Sequence, residues 1–200
     1  MKSARLLGLV FVFSLAFTAR ADITYDVSRT VGTASVTGFI ETDGNTGVLA
    51  ITDIVDWNLV LTNGAATLHL TGPLSGNNSV DSNSAVGADL TANSTDLFFN
   101  FGAADASYLL FQTTGLFGSG DQYYCDAATN QNFVCAAGED IVPISVFGPT
   151  YAHSGPLAGN QIIGAVPGGG GAVPEPSSVL LMSTVLLGIG FLARKRIARA

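Results

Sequence analysis

Charge is segregated along this chain of 200 residues. All fifteen acids lie between Asp22 and Glu175, and the one basic residue among them is Arg29, so fifteen acids against one arginine leave −14. The other seven basic residues, Lys2, Arg5, Arg20, Arg194, Lys195, Arg196 and Arg199, sit at the two ends. The whole-chain values, −7 net and 12% charged, therefore average a very acidic, lysine-free middle with two basic, apolar ends. A middle this negative repels phosphate, which excludes a nucleic-acid partner. Two cysteines exclude a disulfide-dense scaffold. No central stretch offers the roughly 20 apolar residues of a membrane span.

The ends read as addresses. Lys2 and Arg5 open a short positive region, residues 6–17 are apolar apart from Gly8 and Ser14, and Ala19-Arg20-Ala21 places small residues where a signal peptidase reads. Cleavage before Asp22 would make residues 1–21 a signal peptide, with its apolar core as a signal helix. A buried N-terminal helix would need a polar face, and this stretch has none. At the other end, a glycine run gives a linker over residues 167–173. Pro174-Glu175-Pro176 follows, then Ser177-Ser178, an apolar stretch over 179–193, and Arg194, Lys195, Arg196 and Arg199. The prolines fix an extended approach, and either serine can cap a helix behind it. Fifteen helical residues reach about 22 Å, short of a hydrocarbon core of about 30 Å. Snorkelling basic side chains extend that reach. The expectation is a single C-terminal transmembrane helix with its basic tail held on the cytoplasmic side.

Residues 174–200, with Val173 before them, resemble the PEP-CTERM sorting signal of Gram-negative bacteria: the tripeptide Pro174-Glu175-Pro176, a short apolar helix and an arginine-rich tail, in that order. The resemblance implies that Pro174, Glu175 and Pro176 are the recognition motif and that exosortase, a membrane-embedded cysteine protease, is the partner. It implies export across the inner membrane as an anchored precursor, then a place at the cell surface or in the extracellular matrix. It further implies association with exopolysaccharide and biofilm. Residues 23–62 also resemble a recurring N-terminal module of such secreted proteins, which implies no activity. A simple C-terminal anchor would explain the helix and arginines but not Pro174-Glu175-Pro176.

Residues 22–166 favour strands and turns through their Thr, Val, Ser, Gly, Asn and Asp content. Period-two alternation marks 35–42 (Val36, Gly38 and Ile40 on one face), 56–62 (Trp57, Leu59, Leu61), 67–71 (Leu68, Leu70) and 96–101 (Leu97, Phe99, Phe101). Further strands are expected at 23–27, 48–53, 108–113, 141–147 and 161–166. Asp43-Gly44-Asn45-Thr46-Gly47 reads as a hairpin turn, as does Asn63-Gly64. The predicted fold is mainly β: a jelly-roll-like antiparallel β-sandwich, with a barrel as the alternative, filled by Trp57, Phe99, Phe101 and Phe111.

Cys125 and Cys135, both in the exported part, are expected to form a disulfide that staples a polar loop. His69 should point outward from its strand, and His153 should lie in a loop between Pro149 and Pro156. Neither forms a recognisable catalytic motif, and no G-x-S-x-G elbow is present. The acids are expected to cover a soluble surface. Asp53 and Asp56 should face opposite ways on a regular strand, and Glu139-Asp140 should lie in a loop. Asp43 and Asn45 supply hard oxygen ligands for calcium, yet the turn departs from the EF-hand pattern, so no metal or cofactor is assigned. The expected function is non-enzymatic. The alternative is a carbohydrate-binding module using Tyr123, Tyr124, Tyr151 and Phe39, and a secreted hydrolase ranks last.

Overall fold

A computed structural model describes residues 21–83, 89–104, 107–113, 122–128, 135–142 and 151–168. Residues 22 to 172 form one compact unit. The expected signal helix and C-terminal transmembrane helix lie outside the described residues. Among the described residues, no helix is long and apolar enough to cross a membrane.

Among the described residues, thirteen strands follow in order: β1 (Ile23–Val31), β2 (Ala34–Thr42), β3 (Gly47–Val48), β4 (Ile54–Asn63), β5 (Ala66–Thr71), β6 (Ser79–Asn83), β7 (Leu90–Ala92), β8 (Asp96–Asn100), β9 (Tyr108–Thr113), β10 (Tyr123–Ala127), β11 (Gly138–Val142), β12 (Ala152–His153) and β13 (Asn160–Ala165). They form an eight-stranded sheet, β3-β7-β8-β13-β1-β2-β4-β5, and a five-stranded sheet, β12-β11-β10-β9-β6. Every pairing is antiparallel. Each sheet has two free ends in its strand order, so the described strands make two open sheets and not one closed barrel.

The sheets share a core. Tyr25, Val27, Val36, Ile40, Trp57, Leu59, Leu61, Phe99 and Phe101 of the larger sheet region cluster with Leu109, Phe111, Tyr124 and Ile141 of the smaller one. Trp57 and Phe111 meet across the gap with ring centroids 5.3 Å apart. The buried Trp57 indole Nε1 donates to Ser79 Oγ at 2.8 Å, which satisfies its only donor away from water. Alternation therefore locates the core correctly at Val36 and Ile40, at Trp57, Leu59 and Leu61, and at Leu97, Phe99 and Phe101.

Tight turns build the β1-β2 and β4-β5 hairpins. Val31 pairs with Ala34 around Gly32 (φ 58), and Asn63 pairs with Ala66 around Gly64 (φ 60). A positive φ at the first turn residue suits the twist of the flanking strands. The Asn63-Gly64 turn is the expected one, whereas β1 runs four residues beyond the expected 23–27.

Asp43 to Gly47 is not a hairpin. β2 pairs with β1 and β4, while β3 pairs with β7. The expected strand over 48–53 is also replaced: two residues of β3 are followed by a 3₁₀ turn, Ile51–Asp53. Asp53 causes this break locally. Its carboxylate accepts from Ala50 N at 2.7 Å and its own N–H donates to Ala50 O at 3.0 Å, a side-chain alternative to ladder bonding. The strand expected at 141–147 begins earlier, at Gly138, and residues 143–147 lie outside the described set.

Candidate functional site

The acids do not all cover the surface as expected. Asp56, Asp89, Asp126, Glu139 and Asp140 are buried. A buried carboxylate needs a cation or several donors, and these five find them differently. Asp56 Oδ1 accepts from Leu74 N at 3.0 Å and Ser75 N at 3.2 Å, and its other oxygen accepts from Ser75 Oγ. Asp53, expected on the opposite face of the same strand, lies instead in the 3₁₀ turn. Asp89 accepts from Ser107 Oγ at 2.5 Å and Asn100 Nδ2 at 3.2 Å.

Glu139 and Asp140, expected in a loop, are central residues of β11. Glu139 stands opposite Asp126 and Asp140 opposite Cys125 in the β10-β11 register. Alternation sends Glu139 inward with Tyr124 and Asp126, and Asp140 outward. On the inner face, Arg29 of β1 grips Glu139 in two places, Nε to Oε1 at 2.8 Å and Nη2 to Oε2 at 3.1 Å. Its third nitrogen donates to Ile162 O at 3.0 Å. The sole cation of residues 22–175 is thus spent on joining the two sheets. Tyr124 Oη lies 2.9 Å from Asp126 Oδ1 and 3.2 Å from Glu139 Oε1. Asp126 Oδ2 is buried with no hydrogen-bond partner. Burial first, and the Glu139 charge second, hold the Asp126 carboxyl well above the usual carboxylate range. Burial, with Asp126 and Glu139 beside it, likewise raises the Tyr124 hydroxyl.

On the outer face, Asp140 organises a second cluster. Its Oδ1 accepts from Tyr151 Oη at 2.8 Å and lies 2.7 Å from His153 Nδ1, and its Oδ2 accepts from Ala136 N at 2.7 Å. His153, expected in a loop, belongs to β12 and pairs with Asp140 in register. Its ring stacks on Tyr151 with centroids 6.0 Å apart and planes 15° from parallel. Ser154, next in the chain, is engaged with backbone: its Oγ accepts from Glu139 N at 2.9 Å and donates to Gly155 O at 2.7 Å. His69 is exposed on β5, as expected.

Cys125 and Cys135 are joined by a disulfide, with Cα atoms 6.4 Å apart. It does not staple a loop at its first end, because Cys125 and Asp126 are strand residues of β10. Leu110, Cys125, Ala127 and Cys135 form a small apolar cluster with Tyr108 and Tyr123 packed against it. Of the four aromatics considered for sugar binding, Tyr124 is buried in the core and Tyr151 is half-exposed. Tyr123 and Phe39 are partly buried.

In the Asp43 turn, Asn45 Nδ2 donates to Asp43 Oδ2 at 2.8 Å and to Asp53 Oδ1 at 2.9 Å. Asn45, expected with Asp43 to offer oxygen ligands to calcium, therefore turns its amide donor toward both the Asp43 and Asp53 carboxylates. Among the described residues, no group of three or more His, Cys, Asp or Glu side chains could hold a metal ion. The alternation signal missed Arg29, Asp126 and Asp140 as site residues, because charged residues at inward or covered positions break the apolar pattern.

Asp22 is exposed and directly precedes β1, so a chain beginning there keeps every strand. Pro174, Glu175, Pro176, Arg194, Lys195, Arg196 and Arg199 lie outside the described residues, as does Ala19. Neither the curated proteins nor the solved structures include a match to the chain. A family model does match: the PEP-CTERM protein-sorting motif, over residues 172–196, which takes in Pro174-Glu175-Pro176, the apolar stretch and Arg194 to Arg196. The chain is therefore a protein carrying the PEP-CTERM sorting motif, which implies export and a membrane-anchored precursor processed by exosortase.

Proposed function

We propose that the mature protein is a non-enzymatic surface or extracellular-matrix component of a Gram-negative bacterium, built on a jelly-roll-like β-sandwich. Its role is association with exopolysaccharide in a biofilm. The observation that carries this reading is the sorting motif over residues 172–196. The layout supports it: the signal-like residues 1–21 and the sorting segment flank a unit that folds from residue 22 to 172. The net of −14 over residues 22–175 supports it too, since an excess of negative charge resists adhesion to anionic lipid and nucleic acid. Fractionating cells that express the wild-type chain or a Pro174→Ala, Glu175→Ala, Pro176→Ala variant tests the reading. The wild type should reach the surface or matrix fraction, and the variant should stay in the inner membrane. Equal distributions would overturn it.

A second reading, a carbohydrate-binding module, is favoured by one specific feature. Tyr151 is half-exposed, stacked on His153, and both are oriented by the buried Asp140. An aromatic face fixed beside a polar group can stack on a sugar ring and bond its hydroxyls. Binding of the wild type on a glycan array, lost in Tyr151→Ala, would establish this activity. No binding by the wild type would remove it.

A further inference from the structure

Among the described residues, Asp126 is the one buried acid that the fold leaves short of partners. Asp56, Asp89 and Asp140 each collect at least two donors, and Glu139 takes the arginine. Asp126 touches only Tyr124 Oη, and its second oxygen is bare. It stands opposite Glu139 across the β10-β11 pair and opposite Leu109, an apolar residue, across the β10-β9 pair. From the facing sheet, the charged group that reaches this cluster is Arg29 of β1. The neighbouring stretch of β2, Ala34 to Thr37, carries no titratable side chain. Asp140 adds negative charge from the far face of β11, where it holds His153 of β12.

One cation cannot neutralise two carboxylates, and the Tyr124 hydroxyl has one proton for two acceptors. One arrangement satisfies these contacts and also keeps the negative charge beside the arginine. Asp126 Oδ1 carries a proton and donates it to Tyr124 Oη. The Tyr124 hydroxyl donates to Glu139 Oε1. Glu139 carries the negative charge against Arg29. The bare Asp126 Oδ2 is then a neutral carbonyl oxygen, which costs far less to bury than a charged one.

We propose that Asp126 keeps its proton in the folded protein at neutral pH, and that the line Asp126–Tyr124–Glu139–Arg29 is a proton-held latch between the two sheets that loosens as pH rises. The sign follows from linkage. In the unfolded chain the Asp126 carboxyl ionises above its ordinary 3.8, while the folded chain holds the proton well above that value. The folded state then binds one proton more, so stability falls with rising pH. The contribution is fully present below 3.8 and is lost as pH climbs through the raised folded value. Across that window the folding equilibrium constant drops about tenfold per pH unit from this group alone. A domain placed outside the cell would be tightest in acid and looser in alkali.

Infrared spectroscopy of the full chain in detergent tests the latch directly. The wild type at pH 7 should show the carbonyl stretch of a protonated carboxylic acid, and Asp126→Asn should lack it while keeping its far-UV circular dichroism. Glu139→Gln is the second arm. With Glu139 neutral, Asp126 becomes the counter-ion of Arg29, and the band should vanish although Asp126 is still present. A merely structural Asp126 would not respond in that way. In urea unfolding series, the wild type should lose its folding constant with pH relative to Asp126→Asn. A wild type without the band at pH 7, a band that survives in Asp126→Asn or Glu139→Gln, or parallel pH curves would overturn the proposal.

Discussion

Arg29 Nε lies 2.8 Å from Glu139 Oε1, and this contact ties β1 of the larger sheet to β11 of the smaller one. The Glu139 side chain is 2% exposed and that of Arg29 is 24% exposed, so the pair is desolvated mainly on the acid side. Removing the cation leaves a buried carboxylate opposite Asp126. Arg29→Met should therefore destabilise the domain by about 3 kcal/mol, read from the urea midpoint. Arg29→Lys should recover little of this, because an ammonium cannot reproduce the two-point grip on Glu139 together with the bond to Ile162 O.

Gly38 sits at φ +132 in the middle of β2, and a Cβ there would meet Asn58 O at 1.9 Å. Both the backbone angle and the contact reject a side chain. Gly38→Ala should cost more than about 2 kcal/mol, since the strain adds to a displacement of β4. A thermal midpoint within error of the wild type would contradict the observed β2-β4 approach.

The disulfide ties Cys125 within β10 to Cys135, ten positions along the chain and just before β11. Chain-entropy arguments assign a loop of that length about 2 to 3 kcal/mol. Cys125→Ser and reduction of the wild type should lower the thermal midpoint by the same amount, and reductant should not affect the variant further.

Tyr124 is fully buried, with its hydroxyl held well above 10.0 by burial and by the Asp126 and Glu139 charges. Its folded value exceeds its unfolded one, so stability is present below 10.0 and is lost as pH rises beyond it. In an alkaline titration, part of the tyrosinate absorbance should appear only together with loss of near-UV circular dichroism. In Tyr124→Phe that coincident part should shrink.

The apolar half of this fold is legible in the sequence because its strands are amphipathic at period two. Trp57, Leu59 and Leu61 announce β4, and Leu97 and Phe99 announce β8, without any tertiary information. β10 and the first three residues of β11 are hidden for the opposite reason. Asp126, Glu139 and Asp140 occupy buried strand positions that local pattern assigns to surface or loop. What makes them tolerable is an arginine 110 positions from Glu139 and a histidine 13 positions from Asp140. Such partners cannot be read from a window of neighbours. The Asp43 turn misleads in a related way: its composition suits a hairpin, but Asp53 folds back on Ala50 and β3 finds β7 instead. The sorting segment is legible because a short linear motif is recognised as sequence.

In the function proposed for this chain, Pro174-Glu175-Pro176 directs processing of an exported domain whose fold starts beside Asp22. Intact-mass measurement of the chain recovered from the producing cell tests it most directly. A mass for a product that begins at Asp22 and ends near Pro174-Glu175-Pro176, without Arg194 to Ala200, is predicted, with the precursor accumulating when the motif is replaced by alanines. A wild-type product that retains Arg194 to Ala200, or one unchanged by the alanine replacement, would rule out motif-directed processing.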